Sequence, residues 1–338
     1  METGLVLPPW IGRTARVAQQ IEALGFTTLL FTDSQNLAPE VFTQLVVAAA
    51  ATKRLRIGTG VTNPVTRDSA VLASAALSLQ AESRGRMVLG IGRGDSAVQR
   101  VGKGLYPLAA FRSYLGELQG YLRGETVLRD GFESRLEWLR RVDQPKPPLQ
   151  VAATGPKVIE LAAQSADAVM LAVGADLEHV GDALGKVRAA VIRAGRADDS
   201  PRIGAFVNVA IHADPEVARS AVRGAAASFA RFSAFPGSPV DHLPVPLQRA
   251  VGMLREHYDM KDHTRAGSPH ARALEADFID WFALAGPLQH VLPRFEALAG
   301  LGLDFLYMVP ASSDTPRAVA VESITQVASE VLPLLAHH

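Results

Sequence analysis

Short apolar runs alternate along this chain with stretches of helical periodicity. Residues 87–91 form a nearly unbroken apolar run, which is typical of a strand buried on both faces. In residues 14–24 the apolar positions recur every three or four residues, which predicts a helix with one buried face. The same patterns predict eight strands, at residues 4–8, 27–33, 56–63, 86–94, 149–154, 167–174, 203–210 and 304–310.

Eight strands that alternate with helices predict an α/β fold, a (β/α)8 TIM barrel, with an open doubly wound sheet as the alternative. The length of 338 residues fits one such barrel, so we expect residues 1–338 to form a single domain. Residues 125–148 are interpreted as an excursion from the core. Residues 235–285 are interpreted as an insertion whose prolines argue against long elements and which could fold over the mouth of the barrel.

Charge and composition narrow the class of partner. The 34 Lys and Arg residues balance the 34 Asp and Glu residues, so we expect a small-molecule substrate and neither nucleic acid nor a membrane as a partner. The chain has no cysteine, which excludes disulfides, thiolate metal sites and thiol catalysis. Its first residues lack the basic and apolar regions of a signal peptide, so the expected location is the cytoplasm.

In a TIM barrel the chemistry lies where the strands end. The sequence contains neither a nucleophile elbow nor a Walker-type phosphate loop at these ends. Glycines at positions 90, 92 and 94 would allow positive φ and let a ligand approach the main chain. We therefore predict a cofactor site at the strand ends. Its candidates are Trp10, Asp33, Ser34, Gly60, Val61, Thr62, Asn63, Gly92, Arg93, Gly94, Asp95, Ala153, Thr154 and Gly155.

Three segments, in this order and spacing, carry a resemblance to a known family. They are Thr-Gly-Val-Thr-Asn-Pro at residues 59–64, Leu-Gly-Ile-Gly-Arg-Gly-Asp at residues 89–95 and Ala-Ala-Thr-Gly-Pro-Lys at residues 152–157. With them the chain resembles the luciferase-like monooxygenase superfamily, and within it the branch that includes the deazaflavin-dependent methylenetetrahydromethanopterin reductases. The resemblance covers residues 4–211 and resumes at residue 286.

This resemblance implies a TIM barrel that binds coenzyme F420, or alternatively FMN, with hydride transfer at the central ring. It also implies a cis peptide bond between Gly60 and Val61 behind the ring. The turn at residues 154–157 resembles a phosphate-binding turn, where the N–H groups of a helix N-terminus favour an anion. The cofactor-binding residues would be Asp33, Ser34, Gly60, Val61, Thr62, Asn63, Gly92, Arg93, Gly94, Asp95, Ala153, Thr154, Gly155, Pro156 and Lys157.

The expected reaction moves a hydride between the C5 of F420 and a small organic substrate, and the alternative is an FMN-dependent monooxygenase or reductase. Asp33 matches the strand-end acid that lies near the ring in deazaflavin relatives, so it is the first candidate for proton transfer, and Asp95 is the second. Ser34 stands where relatives often carry histidine, which argues against a histidine relay. The resemblance also implies a homodimer, which fits the alanine-rich apolar helices at residues 39–51 and 69–79, and the alternative is that these helices simply cover the barrel.

The strand-end residues also have purely structural interpretations. The glycines could form a tight turn that binds nothing, and Asp33 and Asp95 could cap the helices that follow them. Arg93 could bind a phosphate or pair with Asp95. Trp10 is either a packing residue at the rim or one wall of the substrate pocket.

The insertion contains His242, His257, His263 and His270. Their spacing matches no common metal site, so we expect solvated loop histidines and no metal, although one of them or Tyr258 could contact the substrate. Two other functional classes stay open. One is a barrel that binds flavin as a sensor or carrier, and the other is a phosphosugar or metal-dependent enzyme with similar glycine-rich strand ends.

Overall fold

A computed structural model describes residues 1–141, 143–233, 240–241 and 243–338. Within these ranges the strands are β1 (Glu2–Leu7), β2 (Thr28–Phe31), β3 (Arg56–Thr59), β4 (Met87–Ile91), β5 (Val127–Arg129), β6 (Phe132–Ser134), β7 (Leu149–Ala153), β8 (Ala168–Leu171), β9 (Arg202–Ile211), β10 (Leu284–Gly286) and β11 (Phe305–Val309). The eight predicted strands are thus found, with ends that differ by a few residues.

The helices that connect these strands follow the predicted alternation. They are α1 (Thr14–Ala23), α2 (Val41–Ala51), α3 (Ser69–Glu82), α4 (Ser96–Gln99), α5 (Leu108–Leu122), α6 (Pro156–Ser165), α7 (Leu177–Arg193), α8 (Pro215–Ala230), α9 (Val245–His257), α10 (Pro269–Arg272), α11 (Ala276–Phe282), α12 (Leu288–Gly300), α13 (Arg317–Gln326) and α14 (Leu332–Leu335). Asp68 and Asp214 cap the helices that follow them, because Asp68 accepts from the N–H of Ala70 and Asp214 from that of Glu216.

The main sheet has the strand order β10-β9-β11-β1-β2-β3-β4-β7-β8, and a further pairing joins β8 to β9. That last pairing closes the ring, so the fold is the predicted (β/α)8 barrel and not an open doubly wound sheet. The register is parallel, with Gly4 opposite Tyr307 and Leu30 opposite Gly58. Strand β10 is an addition to the eight and extends the edge of β9.

Contacts between backbone atoms divide the chain into two compact units. The first unit contains residues 1–5, 153–160 and 169–338, and the second contains residues 6–152 and 161–168. The single domain expected from the sequence stays a prediction. The excursion at residues 125–148 contains the antiparallel hairpin β5–β6, which pairs outside the main sheet.

In the second unit, one arginine fastens the start of β4 to the end of α2. The Arg86 guanidinium donates to the carbonyl oxygens of Ala49, Thr52 and Leu55 at 2.9, 3.2 and 2.6 Å. Its Nε donates to the carbonyl of Ser83 at 2.8 Å. The last carbonyls of a helix have no partner within the helix, so Arg86 satisfies groups that would otherwise be left unpaired.

In the first unit, the insertion is helical and packs into an apolar cluster with α8. The expectation that its prolines exclude long elements is wrong for residues 245–257, which form helix α9. Pro244 is the N-cap of this helix and Pro246 lies in its first turn, where a missing N–H costs nothing. The cluster is formed by Leu247, Val251, Leu254, Leu274, Phe278 and Ile279 together with alanines of α8.

The C-terminal helical stretch Arg317–Leu335 is long and apolar enough to cross a membrane, by length and composition alone. It consists of α13, a π-helical turn at Val327–Val331 and α14. The side chains of Val327, Val331 and Leu335 are buried within the protein. Helices that pack against the core of a globular protein have the same composition, so this stretch is weak evidence for a membrane span.

Candidate functional site

Asp33 follows strand β2 and is held by side chains that come after strand β3. Its Oδ2 accepts hydrogen bonds from Thr62 Oγ1 at 2.6 Å and from Arg67 Nε at 3.3 Å. The Asp33 side chain is only 5% exposed, and Thr62 is fully buried. Asp33 is not the N-cap of a helix, because the cap of α2 is Glu40. The capping interpretation of Asp33 is therefore wrong.

Arg67 connects Asp33 to a second carboxylate. Its Nη2 donates to Glu40 Oε1 at 2.7 Å, and its guanidinium lies over the Phe42 ring, 4.8 Å from the ring centroid. Burial by itself would lower the pKa of Arg67, but the negative charges of Asp33 and Glu40 raise it above its ordinary value. This guanidinium is firmly charged. We call Asp33, Thr62, Arg67 and Glu40 the Asp33 network.

The segment after β3 lies against the segment after β4. The peptide bond between Gly60 and Val61 is cis, as the resemblance implies. The N–H of Thr62 donates to the carbonyl of Gly90, and the N–H of Gly92 donates back to the carbonyl of Thr62, both at 2.9 Å. A Cβ on Gly60 would lie 2.8 Å from Leu30 Cβ, and one on Gly92 would lie 3.1 Å from Val61 Cγ2. Glycine is needed there for close backbone approach.

Gly94 is the glycine of this segment that needs a special backbone conformation. Its φ is +94°, and a Cβ at this position would lie 2.4 Å from Val98 Cγ2. The expectation of positive φ at Gly90 and Gly92 is wrong, since neither adopts it. Asp95 stands before helix α4 but its side chain makes no capping hydrogen bond, so the capping interpretation of Asp95 is also wrong. Its Oδ1 accepts from Gln99 Nε2 at 3.2 Å.

Asn63 presents an unpaired donor beside this turn. Its Oδ1 accepts from the N–H groups of Val65 and Thr66, both at 3.0 Å, which fixes the amide in one orientation. Its Nδ2 is buried and has no hydrogen-bond partner among the residues described. A buried NH2 group without an acceptor costs about 1–3 kcal/mol, so this atom is suited to a ligand that accepts.

Arg93 does not pair with Asp95. Its Nε donates to the carbonyl of Tyr106 at 2.7 Å, and it forms no ion pair within the described part of the chain. Burial lowers the pKa of Arg93 below its ordinary value. Of the two interpretations of Arg93, the geometry leaves only the one in which the guanidinium is available to an anion.

The other predicted residues are placed as follows. Ser34 Oγ lies 3.0 Å from Ser96 Oγ, and Trp10 is partly exposed, with its carbonyl accepting from Thr14 Oγ1 at 2.8 Å. In the first unit, Ala153 ends β7 and Pro156 begins α6, as predicted. There the carbonyl of Gly155 accepts from Val158 and Ile159, while Thr154 Oγ1 donates to the carbonyl of Ala172 at 3.3 Å, and Lys157 lies in the first helical turn.

The histidines of the insertion do not form one cluster. His242 lies outside the described residues, and His257 is exposed. His263 Nδ1 is 2.6 Å from the Tyr258 hydroxyl, and the His270 ring stacks on that of Tyr258 with centroids 4.2 Å apart. In the ranges given above, no group of three or more His, Cys, Asp or Glu side chains is arranged to hold a metal ion.

Sequence reasoning missed two residues. For Arg67 the only signal in the sequence is its position four residues after Asn63, near the end of a predicted strand. Asn208 is a polar position inside the apolar run of β9, which was a usable signal. It is 1% exposed, and neither its Oδ1 nor its Nδ2 has a hydrogen-bond partner among the described residues.

In the second unit these groups suit a polar ligand with negative charge. They offer a carboxylate with one engaged oxygen, a buried amide donor, a guanidinium without a carboxylate, and a turn that contains glycine. A tricyclic coenzyme with polar ring edges and an anionic tail is a ligand of this kind. The residues present therefore fit a flavin or deazaflavin.

Several known proteins are similar to this chain. A 5,10-methylenetetrahydromethanopterin reductase from Archaeoglobus fulgidus is 28% identical over 326 residues, which cover 93% of each chain. One from Methanolobus tindarius is 31% identical over 217 residues, or 62% of this chain, and the match spans 65% of that protein's own length. The structure of the coenzyme F420-dependent tetrahydromethanopterin reductase from Methanopyrus kandleri superposes with a TM-score of 0.77 at 22% identity and covers 98% of both chains.

A family model gives the same result over most of the sequence. The model described as luciferase-like monooxygenase matches residues 3–304, which include all three segments that carried the resemblance. The chain therefore belongs to the luciferase-like monooxygenase family.

Proposed function

We propose that this protein transfers a hydride between the C5 of F420 and a small organic substrate. The single observation that carries the proposal is the Asp33 network: a buried carboxylate, fixed through one oxygen, beside a glycine-lined strand end. The protein is an oxidoreductase with F420 as its cofactor, as its relatives' names indicate: methylenetetrahydromethanopterin reductases, and an F420-dependent glucose-6-phosphate dehydrogenase from Beutenbergia cavernae.

Strand-end residues of the second unit would contact the coenzyme. In the second unit, the main chain of Gly60, Val61 and Thr62 and the amide of Asn63 would contact the ring, and Arg93 would attract the negative charge of the tail. In the first unit, the turn at residues 154–157 would hold a phosphate, because the first N–H groups of a helix favour an anion. When bound, F420 supplies a C5 atom that accepts or donates a hydride.

The chain's own residues would then manage the proton that accompanies the hydride. Asp33 would contact the ring or move this proton, and the fact that its Oδ1 makes no hydrogen bond to the described residues supports this role. Asp95 is the second candidate for that role. Trp10, partly exposed just after β1, would form a wall of the substrate pocket.

Titration of the purified protein with F420 and, separately, with FMN tests this proposal. Quenching of coenzyme fluorescence measures the affinity of each. Tight binding of F420 alone supports the proposal, whereas tight binding of FMN alone favours the alternative, a flavin monooxygenase or reductase. Binding of neither would contradict both and remove the cofactor roles of the strand-end glycines.

Turnover separates an enzyme from a sensor or carrier. Reduced F420 is mixed with the protein and a panel of small organic acceptors, and the return of oxidised F420 is followed by its absorbance. An acceptor-dependent return supports hydride transfer. Tight binding of F420 without turnover toward any acceptor, in either direction, would instead favour a carrier.

We also propose a cytoplasmic homodimer. Helices α2 and α3 expose Val46, Val47 and Val71, which are 44%, 41% and 58% exposed, and an apolar surface of this kind is covered in an assembly. Light scattering of the protein after size-exclusion chromatography measures the mass. A dimer that becomes a monomer on Val71→Glu supports this surface as the interface, and a dimer unaffected by that change argues against it.

A further inference from the structure

We infer that Arg67 is a positioning residue that determines which oxygen of Asp33 is presented to the ligand. The inference rests on the proposed function, because it concerns the carboxylate that would contact F420 or its substrate. Arg67 itself touches neither Gly94 nor any other residue of the glycine turns through a hydrogen bond in the part of the chain that is described.

The two carboxylate oxygens of Asp33 differ in their hydrogen bonds. Thr62 Oγ1 and Arg67 Nε both donate to Oδ2, at 2.6 and 3.3 Å. A carboxylate oxygen with two donors is satisfied, and the second oxygen is then turned away from them. Oδ1 makes no hydrogen bond to the described residues, and it is not fully buried. It is the oxygen left for a ligand.

Other contacts hold the Arg67 guanidinium in place, so it would not move with the Asp33 carboxylate if that carboxylate rotated. Glu40 holds Nη2 at 2.7 Å, and Glu40 is itself fixed because its carboxylate accepts from the N–H of Thr43 at the start of α2. The Phe42 ring supports the guanidinium at 4.8 Å, and Tyr114 donates to the Arg67 carbonyl at 2.9 Å. A planar, five-donor group held on these sides is a rigid reference for Asp33.

The negative charge of Glu40 also keeps Arg67 in position. Two carboxylates share one guanidinium, and Glu40 is 45% exposed at its side chain while Asp33 is 5% exposed. Burial would raise the pKa of Glu40, but the N–H of Thr43 and the Arg67 side chain hold it below its ordinary value. Glu40 therefore stays ionised at neutral pH and keeps Arg67 in place. The buried member of the trio is Asp33, which accepts from Thr62 just after the cis peptide bond between Gly60 and Val61.

The chain offers a matched control in Arg129. This arginine also joins two carboxylates, donating to Asp68 at 2.6 and 2.9 Å and lying 3.3 Å from Glu117. Asp68 is 43% exposed and caps a helix, and both of its carboxylate oxygens accept hydrogen bonds, so neither is left for a ligand. If Arg67 were only another structural ion pair, Arg67→Met and Arg129→Met would behave alike.

The experiment uses protein labelled with carbon-13 at aspartate carboxyls, with the Asp33 signal assigned by its loss in Asp33→Asn. We expect Arg67→Met to move that signal at neutral pH and to alter its response to added F420, with Arg129→Met leaving both unchanged. Arg67→Lys retains the charge but not the fork, so it should give an intermediate response. An Asp33 signal in Arg67→Met that responds to F420 as in the wild type would overturn the inference.

Kinetics provide the second measurement, with the acceptor found in the panel. Arg67→Met should lower turnover about tenfold or more while changing the F420 dissociation constant less than about threefold, because a misplaced group loses rate before affinity. In the double variant with Asp33→Asn, turnover should be no lower than in Asp33→Asn alone. Multiplying losses would overturn the inference, as would a fall in melting temperature that accounts for the lost activity.

The two proposals can fail separately. If the wild type binds no F420, the proposed function fails, and the Asp33 signal of the free protein still decides whether Arg67 orients that carboxylate. If the wild type binds F420 and the signal is the same in Arg67→Met and the wild type, only the positioning role fails.

Discussion

Two buried polar clusters of this protein are built in opposite ways. The Asp33 network, in the second unit, uses full charges, two carboxylates around one guanidinium, and leaves one oxygen of Asp33 without a hydrogen bond to the described residues. The cluster around Tyr258, in the first unit, uses rings: His270 stacks on Tyr258 at 4.2 Å, and the Arg231 guanidinium lies over the same ring at 4.5 Å. We call Tyr258, His263, His270 and Arg231 the Tyr258 stack.

The two clusters differ in which polar atom has no hydrogen-bond partner among the described residues. In the Tyr258 stack, the N–H of Asp259 donates to His270 Nδ1 at 3.4 Å, so the ring proton of a neutral His270 is on Nε2. That Nε2 is buried and has no partner among the described residues. The network therefore offers an acceptor held by charge, and the stack a donor held by packing. Charged groups suit proton transfer, whereas stacked neutral rings suit the support of a fold.

The largest expected effect separates the two clusters by function. Asp33→Asn removes the charge and keeps the shape, so turnover with F420 should fall about a hundredfold or more, while affinity for F420 changes far less. His270→Gln should retain turnover within about threefold. Rates and fluorescence titrations of both variants measure this contrast. Intact turnover in Asp33→Asn would contradict the proton-transfer role.

The next effect concerns the glycine turn beside the Asp33 network. Gly94→Ala combines a strained φ with a Cβ 2.4 Å from Val98, so we expect a loss of about 2–4 kcal/mol in unfolding free energy and about tenfold weaker F420 binding. The control is Gly102→Ala, where φ is +73° but no atom lies within 4 Å. It should lose about 1 kcal/mol and no affinity. Urea unfolding compares the two, and equal losses would argue against the steric account.

A smaller effect tests whether the His270 ring in the Tyr258 stack is neutral. Burial lowers the pKa of His270 below its ordinary value of 6.5, with Arg231 acting in the same direction and Asp262 and Asp259 opposing it. Because the folded pKa is the lower one, its contribution to stability is complete above about pH 6.5 and is lost as the pH falls through the folded pKa.

As the pH is lowered below about 6.5, the unfolding free energy of the wild type should therefore decrease, and that of His270→Gln should decrease less steeply. His257→Gln, at an exposed position of the same helical region, serves as the control and should keep the wild-type slope. If His270→Gln had the same slope as the wild type, His270 would not be the group responsible, and the nearby His263 would have to be tested next.

The smallest effect concerns Asn208, a third buried group with unpaired atoms. Replacing it with leucine removes two unsatisfied polar atoms at similar volume, so the free protein should change by less than about 1 kcal/mol and could gain stability. Thermal unfolding measures this. A loss of several kcal/mol would mean that the amide is satisfied in solution, for example by a water molecule.

The fold was predictable because its signals are local. Short apolar runs marked each strand of the barrel, and Asp68 and Asp214 marked helix starts by side-chain chemistry alone. The prolines around residue 245 misled because proline is both a helix breaker and a good first residue of a helix. Which role it takes depends on the apolar cluster into which α9 packs.

The candidate site was only partly predictable, because its partners come from different segments. The sequence identified Asp33 and Thr62 separately, but their hydrogen bond across 29 residues and the role of Arg67 depend on the register of β2 and β3. By sequence, both Asp95 and Asp33 could cap the helices that follow them. The structure shows that Glu40 caps α2 and that Asp95, at the N-cap position of α4, makes no side-chain capping hydrogen bond.

The two ends of strand β4 have different roles, because contacts that stabilise the fold lie at its start and the candidate site lies after its end. Arg86 at its start binds carbonyls at the end of α2 and at the start of β3, whereas the glycines after its end carry the candidate site. Different residues form the contacts at the two ends, so substitutions at one end can accumulate without changing the contacts at the other. A laboratory search for new substrates could randomise residues 92–95 and keep Arg86 constant, with the anchored end as a reserve of stability against the losses that such changes bring.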